Sequence, residues 1–338
     1  MKRIGKKFLL IALCIVFVLV ITSCRRGGTS GQTGPIRLRY NHTVAEASLW
    51  HTYSVLFADR IFERTNGRYV IDIFPMSQLA AGNQARTLEM LRAGTIDIGL
   101  HSTTIWAGLD ERFSIVLMPW LYRSYDEVLE FVNGPSGDAF LTLVSENGVV
   151  PIAMGDDGFR EVLSIRGPIR RPEDMRNLKI RVPGMTMFID MYRVLGADPT
   201  TMNWGEVFSA LQQRTIDAME CPPELLETGR FHEVTNHLTV WGGCWDPIIL
   251  VMSEQLRDSL SPEDLEIFME AGRETMRDQF QAQMIANVTS IDLMAPYVEV
   301  AHLTEQEINE WIIAIQPLYD MWRDRFPEEL RRAMNYDR

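Results

Sequence analysis

The chain has 338 residues, enough for about two domains, and its 45 Asp and Glu against 33 Lys and Arg give a formal net charge of −12. Apolar residues make up 46% of the sequence and charged residues 23%, a composition that is typical of a globular protein and excludes a largely disordered one. An acidic surface repels phosphate backbones and anionic lipid headgroups, which argues against nucleic-acid binding and against membrane binding by charge.

The first 23 residues have the pattern of a signal peptide. Four basic residues within the first seven positions precede an almost unbroken apolar run from Phe8 to Ile21. This run is long enough for the hydrophobic region of a signal peptide and short for a transmembrane helix. It ends in Ile-Thr-Ser-Cys, which is similar to the bacterial lipobox, in which the residue matching Cys24 is lipidated and becomes the first residue of the mature protein. The alternative is an ordinary signal peptide that happens to carry a cysteine.

Residues 24–35 predict a flexible tether between the membrane and a folded body. After Cys24, the segment 25–35 is rich in Gly, Ser and Thr and has no apolar residue. We therefore expect a periplasmic protein that is held at the membrane by a lipid anchor only.

Strands and helices alternate along the first part of the body. Apolar periodicity predicts strands over residues 36–41, 68–74 and 95–100 and helices over 48–65 and 84–92, each helix being followed by a glycine. Such alternation predicts an α/β fold with a covered sheet.

A short internal sequence repeat indicates that two halves of the body share one supersecondary arrangement. The segment Leu88–Asp97 ends a helix and opens a strand with Thr-Ile-Asp, and Phe208–Asp217 repeats this joint. Small-molecule sites lie preferentially at domain interfaces, so two similar α/β lobes with a cleft between them predict a ligand-binding site in that cleft.

The lobes are predicted to join at two glycine-containing crossings, where a few residues absorb backbone rotation. These crossings are Gly155–Gly158 and Gly242–Gly243. The resulting division gives a first lobe of residues 36–156 plus 246–285 and a second lobe of residues 157–245 plus 286–338.

A long helix is predicted near the end of the chain. Ser261 and Pro262 form a strong helix start, and only Gly272 interrupts the helical pattern before residue 295. At 1.5 Å per residue this helix reaches about 50 Å, which is long enough to cross both lobes.

Two arginines are candidates for binding an anion. Arg181 lies in the alternating segment Leu178–Gly184, at the end of a predicted strand and beside a helix start. There a guanidinium fork and free backbone N–H groups come together. Arg160 lies next to the first crossing. For both residues, a solvated position at the rim of the fold is the alternative.

No local motif indicates catalysis or a bound metal. The sequence has no HExxH, no CxxC and no nucleophile elbow. His42, His51 and His101 lie near predicted strand ends, where histidine is more often a satisfied hydrogen-bonding residue. We expect a protein that is not an enzyme and that uses no cofactor.

A series of short motifs runs through the body in a fixed order. They are Thr65-Asn66-Gly67, Pro75-Met76-Ser77-Gln78-Leu79, Gly94-Thr95-Ile96-Asp97, Phe159-Arg160, Pro172-Glu173-Asp174-Met175, Leu178–Pro183, Leu195-Gly196-Ala197-Asp198-Pro199, Trp204-Gly205-Glu206-Val207 and Leu211–Pro222. Over about residues 36–330 this series resembles the DctP-type solute-binding proteins of tripartite ATP-independent periplasmic (TRAP) transporters.

The resemblance implies a two-lobed, type II-like periplasmic binding protein with a ligand cleft between the lobes and a long helix spanning both. Such a protein, expected as a monomer, captures a small organic acid and delivers it to the membrane permease subunits. In that family the arginine matching Arg181 pairs with the ligand carboxylate, and the arginine matching Arg160 assists. A ligand-sensing lipoprotein that presents the bound acid to a receptor uses the same cleft and is the alternative.

One departure from the family concerns the ligand. Where the family has Glu-Asn-Pro, with an Asn that bonds the carboxylate, this chain has Glu220-Cys221-Pro222. The missing amide puts a C4-dicarboxylate in doubt. Trp204 and Trp245 are candidates to pack against the apolar part of a monocarboxylate.

Two further pairs of residues have open alternatives. Asn83 and Gln84 lie in a loop that is expanded relative to the family, and they either face the cleft or cap the next helix. Cys221 and Cys244 are expected to lie near one another beside the cleft, as a disulfide or as two thiols.

Overall fold

The computed structural model describes residues 34–336 of the chain. The predicted signal peptide, the lipid attachment at Cys24 and most of the predicted tether lie outside these residues and stay predictions. Among the described residues, no helix is long and apolar enough to span a lipid bilayer.

Nine strands of the described chain form one mixed sheet. They are β1 (Ile36–His42), β2 (Tyr69–Phe74), β3 (Ile98–Ser102), β4 (Val149–Ser164), β5 (Lys179–Val182), β6 (Asp198–Thr201), β7 (Ala218–Cys221), β8 (His237–Ser253) and β9 (Glu299–His302). Their order across the sheet is β2-β1-β3-β8-β4-β7-β5-β6, and β9 pairs with β8. The mixed α/β fold predicted from the sequence is confirmed.

Thirteen α-helices within residues 34–336 surround this sheet. They are α1 (Leu49–Arg64), α2 (Gln84–Arg92), α3 (Thr103–Leu109), α4 (Tyr125–Asn133), α5 (Pro135–Ser145), α6 (Thr186–Val194), α7 (Trp204–Gln212), α8 (Pro223–Thr228), α9 (Glu254–Ser259), α10 (Pro262–Met294), α11 (Glu305–Ala314), α12 (Gln316–Arg323) and α13 (Glu328–Ala333). The predicted helices 48–65 and 84–92 match α1 and α2 closely.

The core is divided between the two faces of the sheet, and β8 shows why. Side chains alternate along a strand, so Ile249 and Val251 pack in one apolar cluster while Ile248, Leu250 and Met252 pack in the other. A strand that is covered on both faces needs apolar residues at every position, which explains the unbroken apolar run at this end of β8.

The two long strands join the halves of the sheet. β8 pairs with β3 over Ile248–Met252, and β4 pairs with β7 at its other end. Between these regions the register of β4 against β8 shifts, so that Asp156 lies opposite Pro247 and Gly158 opposite Asp246. The predicted lobe boundaries, 156/157 and 245/246, fall at this register shift, where the two long strands pass from one half of the sheet to the other. We call this point the crossing. From Arg37 onward the chain nevertheless forms one compact unit, so these boundaries lie inside continuous strands.

The second predicted crossing, Gly242–Gly243, lies a few residues before this register shift. Gly242 and Gly243 lie within β8, before the point where Asp246 faces Gly158. The backbone N–H groups of Trp241 and Gly242 donate to Glu161 Oε2 at 2.7 and 3.0 Å. This carboxylate therefore satisfies the backbone at an irregular point of the strand pair.

The long helix α10 holds the crossing in place. It has 33 residues, and the Ser261 side chain accepts from the N–H of Asp264, as the sequence predicts. Its buried amides bond the backbone of β4: Gln279 accepts from the N–H of Asp156 at 2.9 Å and donates to its carbonyl at 2.7 Å. Asn287 donates to the carbonyl of Asp157 at 2.9 Å.

Replacing Gly158 with alanine should destabilise the protein by about 2–4 kcal/mol. Gly158 has φ +116°, and a Cβ there would lie 2.1 Å from Nδ2 of Asn287. The matched control is Gly167→Ala, because a Cβ at Gly167 meets nothing within 4 Å. Urea unfolding of both variants measures the difference, and equal stabilities would contradict the close packing at the crossing.

Candidate functional site

A small cavity lies beside the crossing and is lined by residues from both halves of the sheet. Its volume is about 30 Å³. The first half contributes Thr43, Val44, Trp50, Gln84, Ser102, Thr104 and Ile105, and the second half contributes Asp157, Arg160, Arg181, Pro183, Trp204, Cys221 and Leu225. A larger groove of about 510 Å³ lies near Trp120 and α12, but the arginines in its wall, Arg123 and Arg323, are exposed.

Arg181 is a buried cation in the wall of this cavity. It lies on β5 between the fully buried Ile180 and Val182, and its own side chain is 2% exposed. Its Nε and Nη2 donate to the carbonyl of Met202 at 3.0 and 2.8 Å, and the guanidinium carbon lies 6.0 Å from the ring centroid of Trp204. Burial lowers the pKa of Arg181 to about 10. Among the described residues no carboxylate forms an ion pair with it, so it is the charge that an anionic ligand would neutralise.

Arg160 differs from Arg181 because two acids already pair with it. Its Nη1 donates to Asp246 Oδ2 at 2.6 Å. Its Nε and Nη2 donate to the carboxylate of Glu220, and Nη2 also donates to the Glu220 carbonyl at 3.1 Å. Burial alone lowers the pKa of Arg160, but the nearby acidic groups hold it well above its usual range. The guanidinium is thus held as a charged part of the wall.

The acids around Arg160 are themselves buried. Asp246 also accepts from Ser102 Oγ at 2.7 Å and from the N–H of Thr103 at 3.2 Å. Asp157 accepts from Trp50 Nε1 at 2.9 Å through Oδ1. Burial raises the pKa of Asp246 and of Asp157, since the neutral form of a carboxyl group loses less on leaving water.

Most of the predicted site residues meet at the cavity. Arg160, Arg181, Trp204 and Cys221 line it, and Gln84 Oε1 accepts from the N–H of Trp204 at 3.1 Å, which links the two halves. Glu220 is not in the wall, because it lies against Arg160 and fixes that guanidinium.

Two of the predicted residues lie elsewhere. Asn83 caps α2, where its side chain accepts from the N–H of Arg86 at 3.0 Å. Trp245 packs with Tyr122 and Phe131 in the core, and its Nε1 donates to Asp156 Oδ1 at 2.7 Å. Its position on the strand directs the ring into the core, so the structure does not place it as a ligand-binding residue.

Trp50, Asp157 and Ser102 are wall residues that the sequence interpretation missed. Asp157 belongs to the polar segment that was predicted as a crossing between lobes. That position beside the cleft was the one sequence feature that could have indicated a cavity residue. Trp50 follows a helix N-cap, where nothing in the local pattern distinguishes a cavity residue from a core residue.

His42 and His101, two histidines of the first half, are buried. His42 Nε2 and His51 Nδ1 lie 3.0 Å apart, and His101 lies next to Thr43. Burial lowers the pKa of His42 and of His101 to about 3, so both rings are neutral near pH 7. Within residues 34–336 there is no group of three or more His, Cys, Asp or Glu that could hold a metal ion.

Cys221 and Cys244 lie on opposite sides of β4 and are free thiols. Cys221 of β7 pairs with Glu161, and Cys244 of β8 pairs with Arg160. Two strand spacings separate their Cα atoms by about 9–10 Å, which is beyond the reach of a disulfide. Of the two alternatives left open by the sequence, the structure has the free thiols.

Both cysteines should therefore react with iodoacetamide after denaturation without a reductant. Peptide mapping by mass spectrometry checks this expectation, and the native protein is the control, because both side chains are buried. A disulfide-linked peptide pair would contradict the pairing of β4 with β7 and β8.

Comparisons with known proteins agree on one family. Residues 40–325 match the model of the bacterial extracellular solute-binding proteins, family 7 (DctP). The chain is 29% identical over 249 residues to the 2,3-diketo-L-gulonate-binding periplasmic protein of Escherichia coli K12, which covers 74% of this chain and 75% of the relative.

Solved structures give the same result. A TRAP periplasmic solute-binding protein from Ralstonia eutropha H16 with bound (S)-2-acetolactate superposes with a TM-score of 0.85 at 29% identity, covering 88% of this chain and 98% of that one. A second, from a Polaromonas species and bound to D-erythronate, has a TM-score of 0.83 at 26% identity, with 88% and 97% covered.

Proposed function

This chain belongs to family 7 of the bacterial extracellular solute-binding proteins, and we propose that it is the solute-binding component of a TRAP transporter. It captures a small organic acid in the cavity beside Arg181 and delivers the acid to a membrane permease. The observation that carries this proposal is a buried guanidinium that faces a cavity and has no acidic partner among the described residues. A ligand carboxylate supplies the missing negative charge and accepts hydrogen bonds from the remaining N–H groups of Arg181.

The ligand is a monocarboxylate with an apolar part. Arg160 is neutralised by Glu220 and Asp246, so Arg181 alone is available to a ligand carboxylate. A second buried carboxylate without a cationic partner would cost several kcal/mol. Trp50 and Trp204 offer aromatic surface to the rest of the molecule. The acetolactate and erythronate of the two solved relatives also carry one carboxylate each.

Native mass spectrometry of the protein as purified, followed by denaturation, tests this function directly. A bound organic acid should be released and identified, and the same acid should raise the melting temperature in a thermal-shift screen. C4-dicarboxylates and branched or aromatic monocarboxylates form the two arms of that screen. Stabilisation by dicarboxylates alone would overturn the monocarboxylate assignment.

Uptake measurements separate a transporter component from a sensor. Deleting the gene should abolish uptake of the labelled acid by the cells, because delivery to the permease requires this protein. A sensor that presents the acid to a receptor would leave uptake intact when the gene is deleted.

The protein is proposed to be a monomer anchored in the periplasm through a lipid on Cys24. Palmitate labelling of cells should mark the wild-type chain and leave a Cys24→Ala variant unlabelled. Equal labelling of the two chains would contradict attachment at this cysteine.

Ligand exchange requires the halves to separate. The cavity volume of about 30 Å³ has room for ~2 water molecules, which is less than an organic acid needs. Small-angle scattering should therefore give a larger radius of gyration for the ligand-free protein than for the complex. Identical radii at saturating ligand would contradict closure about the crossing.

A further inference from the structure

The two halves of the sheet come into close contact at Gly108, next to the small cavity. Gly108 lies in α3 of the first half, and a Cβ at this position would lie 2.5 Å from the carbonyl oxygen of Gly184 in the second half. Both glycines are exposed and line a more open cavity of about 220 Å³. That cavity shares Gln84, Ile105 and Pro183 with the small one, so the contact lies at the outer edge of the small cavity.

The contact requires a glycine on one side only. Cβ atoms do not approach another heavy atom within 3.0 Å, and the atom facing Gly108 is a backbone oxygen, which cannot rotate away as a side chain can. A Cβ at Gly184, in contrast, would meet nothing within 4 Å. Glycine inside a helix is less favourable than alanine, so α3 by itself gives no reason for a glycine at position 108. The approach of the second half supplies that reason.

A hydrogen bond between the halves lies at the same edge. Helix α7 of the second half begins at Trp204, and its N-cap residue Asn203 makes no side-chain cap hydrogen bond. The side chain of Gln84, from the first half, accepts from the N–H of Trp204 at 3.1 Å. The first N–H groups of a helix have no partner inside the helix, so a residue of the opposite half supplies a cap that the N-cap residue of α7 does not. Separation of the halves breaks this bond.

We propose that Gly108 is the positioning residue that lets the cavity close, and that Gln84 forms a second contact that favours the closed state. Gly184 follows β5, the strand that carries Arg181. A side chain at position 108 would therefore hold this strand and its guanidinium away from the first half. The consequence for a bound acid rests on the proposed function. In a cavity that cannot close, water weakens the attraction between Arg181 and a carboxylate, and the acid dissociates faster.

The thiol of Cys221 reports closure without any ligand, because its buried side chain lines the cavity. Iodoacetamide labelling of the native protein, followed by peptide mapping, measures how often the cavity opens. Cys221 should react at least about tenfold faster in Gly108→Ala than in the wild type, because alanine disfavours the closed state. The matched control Gly184→Ala should react like the wild type. Gln84→Ala should accelerate the reaction by a smaller factor.

The second thiol, Cys244, is the internal reference, because it is buried in the core cluster and should react slowly in every variant. Equal rates of Cys221 labelling in Gly108→Ala and Gly184→Ala would overturn the proposal. So would an equal acceleration at Cys221 and Cys244, because it would show that the whole fold has loosened.

A branched monocarboxylate, 2-hydroxy-4-methylpentanoate, tests the consequence for binding. It should protect Cys221 of the wild type from iodoacetamide, and the concentration that gives half protection should rise at least about tenfold in Gly108→Ala. Equal protection of the two chains would overturn the proposal. Absence of protection in the wild type would instead contradict the proposed ligand class, and the labelling rates without the acid still decide the role of Gly108.

Discussion

Replacing Arg181 with glutamine should weaken binding of the organic acid at least a hundredfold while the chain still folds. The guanidinium keeps both N–H groups of Nη1 and one of Nη2 for a ligand, because Nε and Nη2 are bonded to Met202. Each charge-assisted hydrogen bond contributes about 1.5–3 kcal/mol, so the loss of two corresponds to roughly two orders of magnitude or more in Kd. The glutamine amide can still donate to the Met202 carbonyl, which protects the local backbone.

Titration calorimetry of Arg181→Gln against the wild type measures this effect. The control is Arg193→Gln on α6, where the same change is made at an exposed position. Thermal unfolding of the ligand-free variants shows whether the fold is retained. Wild-type affinity in a folded Arg181→Gln protein would show that this cavity is not the ligand site.

Replacing Asp156 with asparagine should stabilise the protein at pH 8 and have little effect near pH 4. Burial raises the pKa of Asp156 in the folded protein to about 7, far above the value of 3.8 for the free side chain. The folded state then binds a proton more tightly than the unfolded chain does. Stability from this group is therefore fully present below about pH 4 and is lost as the pH rises through about 7.

The expected difference follows from the size of this pKa change. It corresponds to a loss on the order of 4 kcal/mol between the two ends of the pH range. Asparagine can still accept from Trp245 Nε1, and its NH₂ group can donate to the Tyr125 hydroxyl, so both contacts of Asp156 survive. The variant imitates the protonated carboxyl at every pH.

Urea unfolding at several pH values between 4 and 8 tests this expectation. Burial raises the pKa values of Glu224 and Glu161 to about 7 and about 8, so both groups also make the free energy of unfolding fall as the pH rises. Both groups remain in the variant. The exposed change Asp59→Asn is the control. Identical slopes in the wild type and in Asp156→Asn would show that Asp156 does not take up a proton on folding.

Local patterns predicted the elements that depend on local interactions. The N-cap at Ser261 and the proline after it fix the start of α10, and the alternation around Arg181 fixes β5. The resemblance to the DctP-type proteins, which the family model confirms, predicted that Arg181, Cys221 and Trp204 lie together, and all three line one cavity.

The long strands were not predicted, because their formation depends on distant residues. Gly and Asp are poor strand formers, so the segment Gly155–Gly158 indicated a linker. Its backbone becomes part of β4 because Gln279 and Asn287, far along the chain, bond to it. The pairing of Arg160 with Glu220 and Asp246 likewise joins residues that are 60 and 86 positions apart.

The continuous strands through the crossing also determine how the protein loses its structure. Neither half of the sheet has its own complete set of strands, since β4 and β8 supply neighbours to both. The α10 amides bond the backbone at the point where these strands cross, so one half cannot melt without breaking bonds that order the other. We therefore expect unfolding to be cooperative across both halves, and a ligand that binds at the cavity should protect both halves from proteolysis and amide exchange together.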